Sequence, residues 1–258
     1  MKRYAFAFAL SAAAGTMMAA ANTPSVDDGV RFQQITATCT QQVKPSLSVK
    51  STCDVAWPAG DDVLVQALTQ WVCKNLGYEA YSPGDGPESV VLTLVQNGIR
   101  SLKEEAEDFE GDWTMEFEEE MTISRIFEND DFVTLDCTMS GYTGGAHGYN
   151  MQKCATFRKA DGKEMGWDLV GNMTKAQIDR ALKDGLQEYA DVTSDIDLVD
   201  ALFMEPADFE NDFPLPAVAP FLTSEGVEVI YQQYEIAPYS FGMPACVIVP
   251  MQKFNPKK

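Results

Sequence analysis

Between Val30 and Ile123 the apolar residues change their spacing twice, and that change restricts the fold more than any other feature of the chain. Val30 to Gln42 and Leu47 to Trp57 read as two strands around "VKPS", with Pro45 supplying a turn-compatible φ. From Asp61 the period becomes helical. Val63, Leu64, Ala67, Leu68, Trp71 and Val72 fall on one helix face, and Gly77 ends it. A second helix from about Glu88 to Phe109 carries Val91, Val95, Ile99 and Leu102 on one side. The period then returns to two. Trp113, Met115, Phe117, Met121 and Ile123 share one parity, with Glu116, Glu118 and Glu120 on the other, which predicts a half-buried strand with a wet acidic face. Glu119 breaks the pattern and is expected to mark a bulge or the sheet edge.

Further on, "DFVTLDCTMSGY" and "NMQKCATFRK" read as the arms of a second hairpin. "TKAQIDRALKDGLQEY" opens with a capping box at Thr174 and Gln177, followed by a stripe of Ile178, Leu182, Leu186 and Tyr189, so a third helix is expected. The last third reads as strands, with Phe221, Val227, Val229, Tyr231 and Val247 as core candidates.

The N-terminus points to export. Lys2 and Arg3 precede an apolar run, and Ala19, Ala20 and Ala21 close it, so residues 1–21 are expected to be a signal peptide cleaved after Ala21. No later segment is apolar enough to span a membrane, which leads us to expect a mature form without a membrane span, periplasmic or secreted. Loss of Lys2 and Arg3 takes the formal charge from -20 to about -22. Such a surface repels nucleic acid and favours encounter with cationic partners. In an oxidising compartment the six cysteines suggest up to three disulfides. Cys39 with Cys53 and Cys137 with Cys154 lie symmetrically on the arms of the two hairpins, which leaves Cys73 with Cys246. A metal site is not expected. There is no C-x-x-C, one histidine cannot supply the usual zinc set, and "SDIDLVD" lacks the glycine and closing glutamate of a calcium loop. Nor does any motif call for a cofactor.

The only histidine, His147, sits in "SGYTGGAHGYN". It could act as a general base, with the glycines admitting a substrate, but a base needs a nucleophile or carboxylate within reach, and no G-x-S-x-G marks one. The structural alternative has Gly144, Gly145 and Gly148 supplying positive φ for a tight connection, while the ring folds back to a carbonyl or carboxylate. Tyr142, Gly144, Gly145, His147, Tyr149 and Tyr239 are the candidate ligand-binding residues, and His147 is the one catalytic candidate. Aromatics in loops can anchor ligands, although core packing explains most tyrosines equally well.

"YTGGAHGYN" and "YEIAPYSFGMPACVIVP", with "WDLV" between them, resemble signatures of a bacterial extracytoplasmic domain family of unknown function, shared by the ectodomain of a lysozyme-binding anti-sigma factor and by domains associated with polysaccharide deacetylases. The likeness spans roughly residues 30–250. It implies an α+β protein, mainly antiparallel sheets with about three helices, in two intertwined subdomains. We set these at 22–160, ending in the GGAHG hairpin, and 161–258. The family carries no agreed activity. The chain has neither a transmembrane helix with a sigma-binding segment nor a deacetylase domain, whose metal site would need more than one histidine. The leading expectation is an exported, non-enzymatic binding or sensing module of the cell envelope, with a cationic protein such as lysozyme, or peptidoglycan, as partner. The alternative is a cell-envelope hydrolase or carbohydrate-processing enzyme working through His147.

Overall fold

A computed structural model describes residues 15–21, 29–78, 86–111, 113–211 and 213–255. Most of the expected leader, the residues following its cleavage point and part of the "YSPGDGPE" loop lie outside the described residues. The chain forms two compact units, one comprising Met1–Ser124 and Cys137–Asn150, the other Arg125–Asp136 and Met151–Lys258. The changeovers fall at 124/125, 136/137 and 150/151.

In the first unit, β1 (Gly15–Ala21), β2 (Phe32–Lys44) and β3 (Leu47–Pro58) are successive antiparallel neighbours. The β2–β3 register pairs Cys39 with Ser51 and Ala37 with Cys53, and it shifts between Gln42 and Lys44. The ladder from Phe32–Pro58 to Gln42–Ser48 is centred on Pro45, one residue before the midpoint of Cys39 and Cys53. Cys39 and Cys53 therefore sit diagonally, on the same face, at a separation of about 7–8 Å that exceeds the reach of a disulfide. Helices α1 (Val63–Asn75) and α2 (Pro87–Glu107) follow.

Asp62 caps α1 by accepting from the Val65 amide at 2.9 Å. At the other end Tyr78 N–H reaches Cys73 O and Gly77 N–H reaches Lys74 O, with Gly77 at φ +69°. This paired return closes the helix with a left-handed glycine. The two helices carry the chain back to β4 (Met115–Glu128), which runs parallel to β3 with Leu47 opposite Met115 and Val55 opposite Ile123. A parallel pair needs such a crossover because a short turn can only reverse direction. Val49, Val55, Leu68, Val72, Val91, Val95, Phe117 and Ile123 are buried. Val63, at the first position of α1, is exposed.

Strands β5 (Phe132–Tyr142) and β6 (Tyr149–Arg158) complete the six-stranded order β1-β2-β3-β4-β5-β6. In the second unit α3 (Lys175–Ala190) has the capping box of Thr174 and Gln177 and buries Ile178, Leu182 and Leu186. Tyr189, the last residue of the expected stripe, is instead exposed. Two short helices follow that the hydrophobic period did not announce: α4 (Asp195–Ala201), capped by Ser194, and α5 (Pro206–Asn211). Strands β7 (Phe221–Leu222), β8 (Gly226–Ile230) and β9 (Ala245–Pro250) form a three-stranded antiparallel sheet. An irregularity between Val227 and Glu228 sets Glu228 opposite Val247. Cys246 and Ile248 therefore turn inward, and Val247 faces out. Leu182, Leu186, Leu198, Phe209, Phe213, Val229 and Tyr231 are central to this unit's core. The fold is the expected mixed α+β, two mostly antiparallel sheets with helices, five α-helices lying among the described residues.

All six cysteines are free and buried, so the three expected disulfides are absent from the structure. Cys73 lies on α1 and Cys246 on β9, in different units. Cys154 donates to Asp136 Oδ1 at 3.2 Å. Because neighbouring strand residues point to opposite faces, Cys154 turns to the face that Asp136 occupies and Cys137 leaves.

Candidate functional site

Five of the six candidate ligand-binding residues meet at the β5–β6 hairpin. Gly144 and Gly145 adopt φ +92° and +91°. Gly148 does not need positive φ. Its role is close approach, since a Cβ there would lie 2.6 Å from the carbonyl oxygen of Gly141. The Tyr142 hydroxyl donates to Gly145 O at 3.1 Å, and His147 Nδ1 lies 2.9 Å from Gly148 O with the ring exposed. Tyr149 lies over Gly141, where a Cβ would come within 2.6 Å of its hydroxyl oxygen. Burial first, then Glu119 and Glu105, raise the pKa of that phenol. Behind the loop, Phe109 packs edge-on against Trp113 and Phe117, and Gly144 faces Phe109 and Phe117.

Glu119 is the residue that the sequence reading missed. It is neither a bulge nor an edge: it stays in register opposite Ser51, and its side chain shares the inner parity of Phe117 and Ile123. The buried Ser51 hydroxyl donates to Glu119 Oε1 at 2.9 Å. Gly98, on the core stripe of α2, leaves the room this carboxylate occupies. The available signal was a glycine in a helix stripe together with a carboxylate in a strand stripe.

The opposite face of the first unit's sheet is polar throughout its centre. Thr36, Thr38 and Thr40 of β2 stand opposite Asp54, Thr52 and Lys50 of β3. Ser48, Lys50 and Thr52 in turn stand opposite Glu116, Glu118 and Glu120 of β4. Asp54 Oδ1 accepts from Thr36 Oγ1 at 2.7 Å and Gln34 Nε2 at 2.6 Å, and Ser48 donates to Glu116 at 2.9 Å. Glu116, Glu118 and Glu120 are exposed in a row. Neighbouring carboxylates about 7 Å apart on one strand face create a directional negative field that a cationic surface can neutralise.

Tyr239 belongs to a different cluster, in the second unit. It lies in a 3₁₀ turn, Tyr239–Phe241, with its ring centroid 5.9 Å from that of Tyr234. Tyr234 is half-exposed and holds φ +64°, a conformation uncommon for a bulky side chain. Tyr189 stacks at a tilt on Phe241 at 5.5 Å and donates to its carbonyl at 3.0 Å. The result is an exposed aromatic ledge.

The thiols are poorly suited to nucleophilic work. Burial pushes the pKa values of Cys53 and Cys246 up to about 12 and that of Cys73 up to about 11. Burial and the adjoining Asp136 raise that of Cys154. A thiol that keeps its proton at neutral pH is an inert one. Among the described residues no group of three or more His, Cys, Asp or Glu side chains is placed to hold a metal ion. No described helix is long and apolar enough to cross a membrane.

Two mostly antiparallel sheets with flanking helices thus define a mixed α+β protein. Residues 168–249, from the "WDLV" segment into β9, match a family model described as "Protein of unknown function (DUF3298)". Two solved structures share the fold. A member of the DUF3298 family from Bacteroides fragilis superposes with a TM-score of 0.65 at 19% identity, covering 86% of this chain and 91% of that one. A DUF3298 family protein from Pseudomonas aeruginosa PAO1 gives a TM-score of 0.59 at 16% identity, covering 89% and 94%. No curated protein matches the chain.

Proposed function

We propose that this chain is an exported binding module of the cell envelope that recognises a cationic protein of the lysozyme type through the open face of β3 and β4. The carrying observation is the exposed row of Glu116, Glu118 and Glu120, set on a hydroxyl-rich sheet face in which Lys50 is the only cation among the paired positions of β3 and β4. A chain of net charge -20 adds a long-range attraction. The resemblance to a family represented in a lysozyme-binding ectodomain supports the choice of partner. Buried, protonated thiols and a histidine whose ring nitrogen is set on a backbone carbonyl support binding over turnover.

Titration calorimetry with a lysozyme at about 20 mM and about 150 mM salt tests this, since the Debye length falls roughly from 20 Å to 8 Å between them. Binding at low salt that weakens at higher salt, and weakens at least tenfold in Glu116→Gln/Glu118→Gln/Glu120→Gln, is expected. Absence of binding at both salt concentrations overturns the reading.

A second reading rests on the aromatic ledge. Exposed rings at Tyr234 and Tyr189 are of the kind that stack on sugar faces, which makes peptidoglycan the alternative ligand. Co-sedimentation with purified sacculi separates the two: retention lost in Tyr234→Ala but kept in the triple glutamine variant would assign the ligand to the ledge.

A further inference from the structure

Strand β2 is the sheet neighbour of β1, and β1 is made of residues that the export reading assigns to the leader. In the full chain Gly15 pairs with Gln41 and Ala21 with Ile35, so seven residues of the leader close the edge of β2. Removing them uncovers that edge. Natural sheet edges are guarded by lysine, proline, inward charges or bulges. The run from Phe32 to Val43, "FQQITATCTQQV", has no charged residue and no proline, and its register with β3 is regular through Gln42. In a chain that is 22% charged, such a strip is built to be covered.

The strip is also self-complementary. If two copies of β2 are laid antiparallel about Ala37, Ala37 meets the partner's Ala37, Thr36 meets the partner's Thr38, Ile35 meets the partner's Cys39, and Gln33 meets the partner's Gln41. Opposite residues in an antiparallel pair point to the same side. Buried Ile35, Ala37 and Cys39 would therefore continue the apolar face, while Thr36, Thr38 and Gln34 would continue the polar one. Electrostatics favour this strip for self-contact, because two strongly acidic molecules meet least repulsion where neither carries charge.

We propose that, once the leader is removed, the vacated edge of β2 pairs with the β2 edge of a second copy, giving a two-fold dimer through an antiparallel ladder centred on Ala37. The inference rests on the export reading, and the experiment separates the two. The full chain is expressed in a secreting bacterial host, and the exported product is purified and its N-terminus fixed by intact mass. Sedimentation velocity is then run at micromolar concentration beside the leader-bearing precursor and the exported Thr38→Lys variant.

Expected are a processed product beginning at Asn22 that sediments at twice the single-chain mass, a monomeric precursor, and a monomeric Thr38→Lys protein. The circular dichroism of Thr38→Lys should match the parent, because Thr38 lies on the polar face; its melting temperature should be lower than that of the dimeric parent and independent of protein concentration. Thr40→Lys, opposite the partner's Gln34, should also be monomeric and guards against misfolding of the first variant. A processed but monomeric product overturns the dimer and leaves the export reading standing. An unprocessed product overturns both. A dimer that survives either lysine, or that forms in the precursor, places the contact elsewhere and also overturns the proposal.

Discussion

Gly98 and Glu119 share one space. A Cβ built on Gly98 would lie 1.6 Å from Glu119 Oε1 and 2.6 Å from Ser51 Oγ, so the middle of α2 is open because a carboxylate from β4 fills it. Alanine at an ordinary helix position is better than glycine by about 1 kcal/mol. Here the clash decides. Gly98→Ala is expected to destabilise by about 1–3 kcal/mol, the range for overpacking. Adding Glu119→Ala should recover most of the loss, with a coupling of at least about 1 kcal/mol in a urea-denaturation double-mutant cycle. Additive losses would show that the two residues do not compete for that space.

Asp136 provides a pH test. Burial raises its carboxyl pKa despite hydrogen bonds from Gln152 and Cys154 that pull the other way. The native state therefore binds this proton more tightly than the unfolded chain. Its contribution favours folding most below the unfolded carboxylate pKa and is lost as pH rises through the native value. Asp136→Asn keeps an acceptor for both donors without a charge to desolvate. The variant should melt higher than the parent at pH 7, with the gain shrinking towards pH 4. A gain that is the same at both values would rule out the titration.

The hairpin separates scaffold from chemistry. Gly148→Ala forces a Cβ against a backbone oxygen that cannot yield, with an expected loss of about 1–3 kcal/mol. His147→Ala, on an exposed ring, should change stability by less than about 0.5 kcal/mol and leave lysozyme binding intact. If turnover of an envelope glycan is detected in the parent and abolished in His147→Ala, the hydrolase alternative replaces the binding module.

Thiol accessibility tests the cysteine assignment. With pKa values raised to about 11 or 12, the thiolate fraction of Cys53, Cys73 and Cys246 at pH 8 is about a thousandth or less. Ellman's reagent should react negligibly with the native chain over minutes and then with all six thiols in denaturant. A denatured count well below six would mean bridges have formed.

Where a single period or cap dominates, the sequence announced the element. The stripes of α1 and α2, the T-x-x-Q start of α3 and the alternation of β4 all reappear. The failures have particular causes. Alternation cannot say which neighbour a strand takes, so the parallel β3–β4 pair was not legible. The β2–β3 ladder is centred on Pro45, one residue before the midpoint that the Cys39–Cys53 spacing assumed, and the irregularity at Val227 and Glu228 turned Val247 outward. Helix α4 is too short for a periodic signal, yet its Ser194 cap, with Asp197 three residues on, was there to be read. Of the candidate site, the sequence brought together Tyr142, Gly144, Gly145, His147 and Tyr149. Tyr239 belongs to the other unit, and Glu119 was hidden by being a charge on an apolar parity.

Three changeovers of the backbone between the two units mean that neither is a contiguous stretch of gene. No single truncation can release one unit intact, and a duplication or fusion event could not have copied either alone. The two units are therefore encoded, inherited and degraded as one piece.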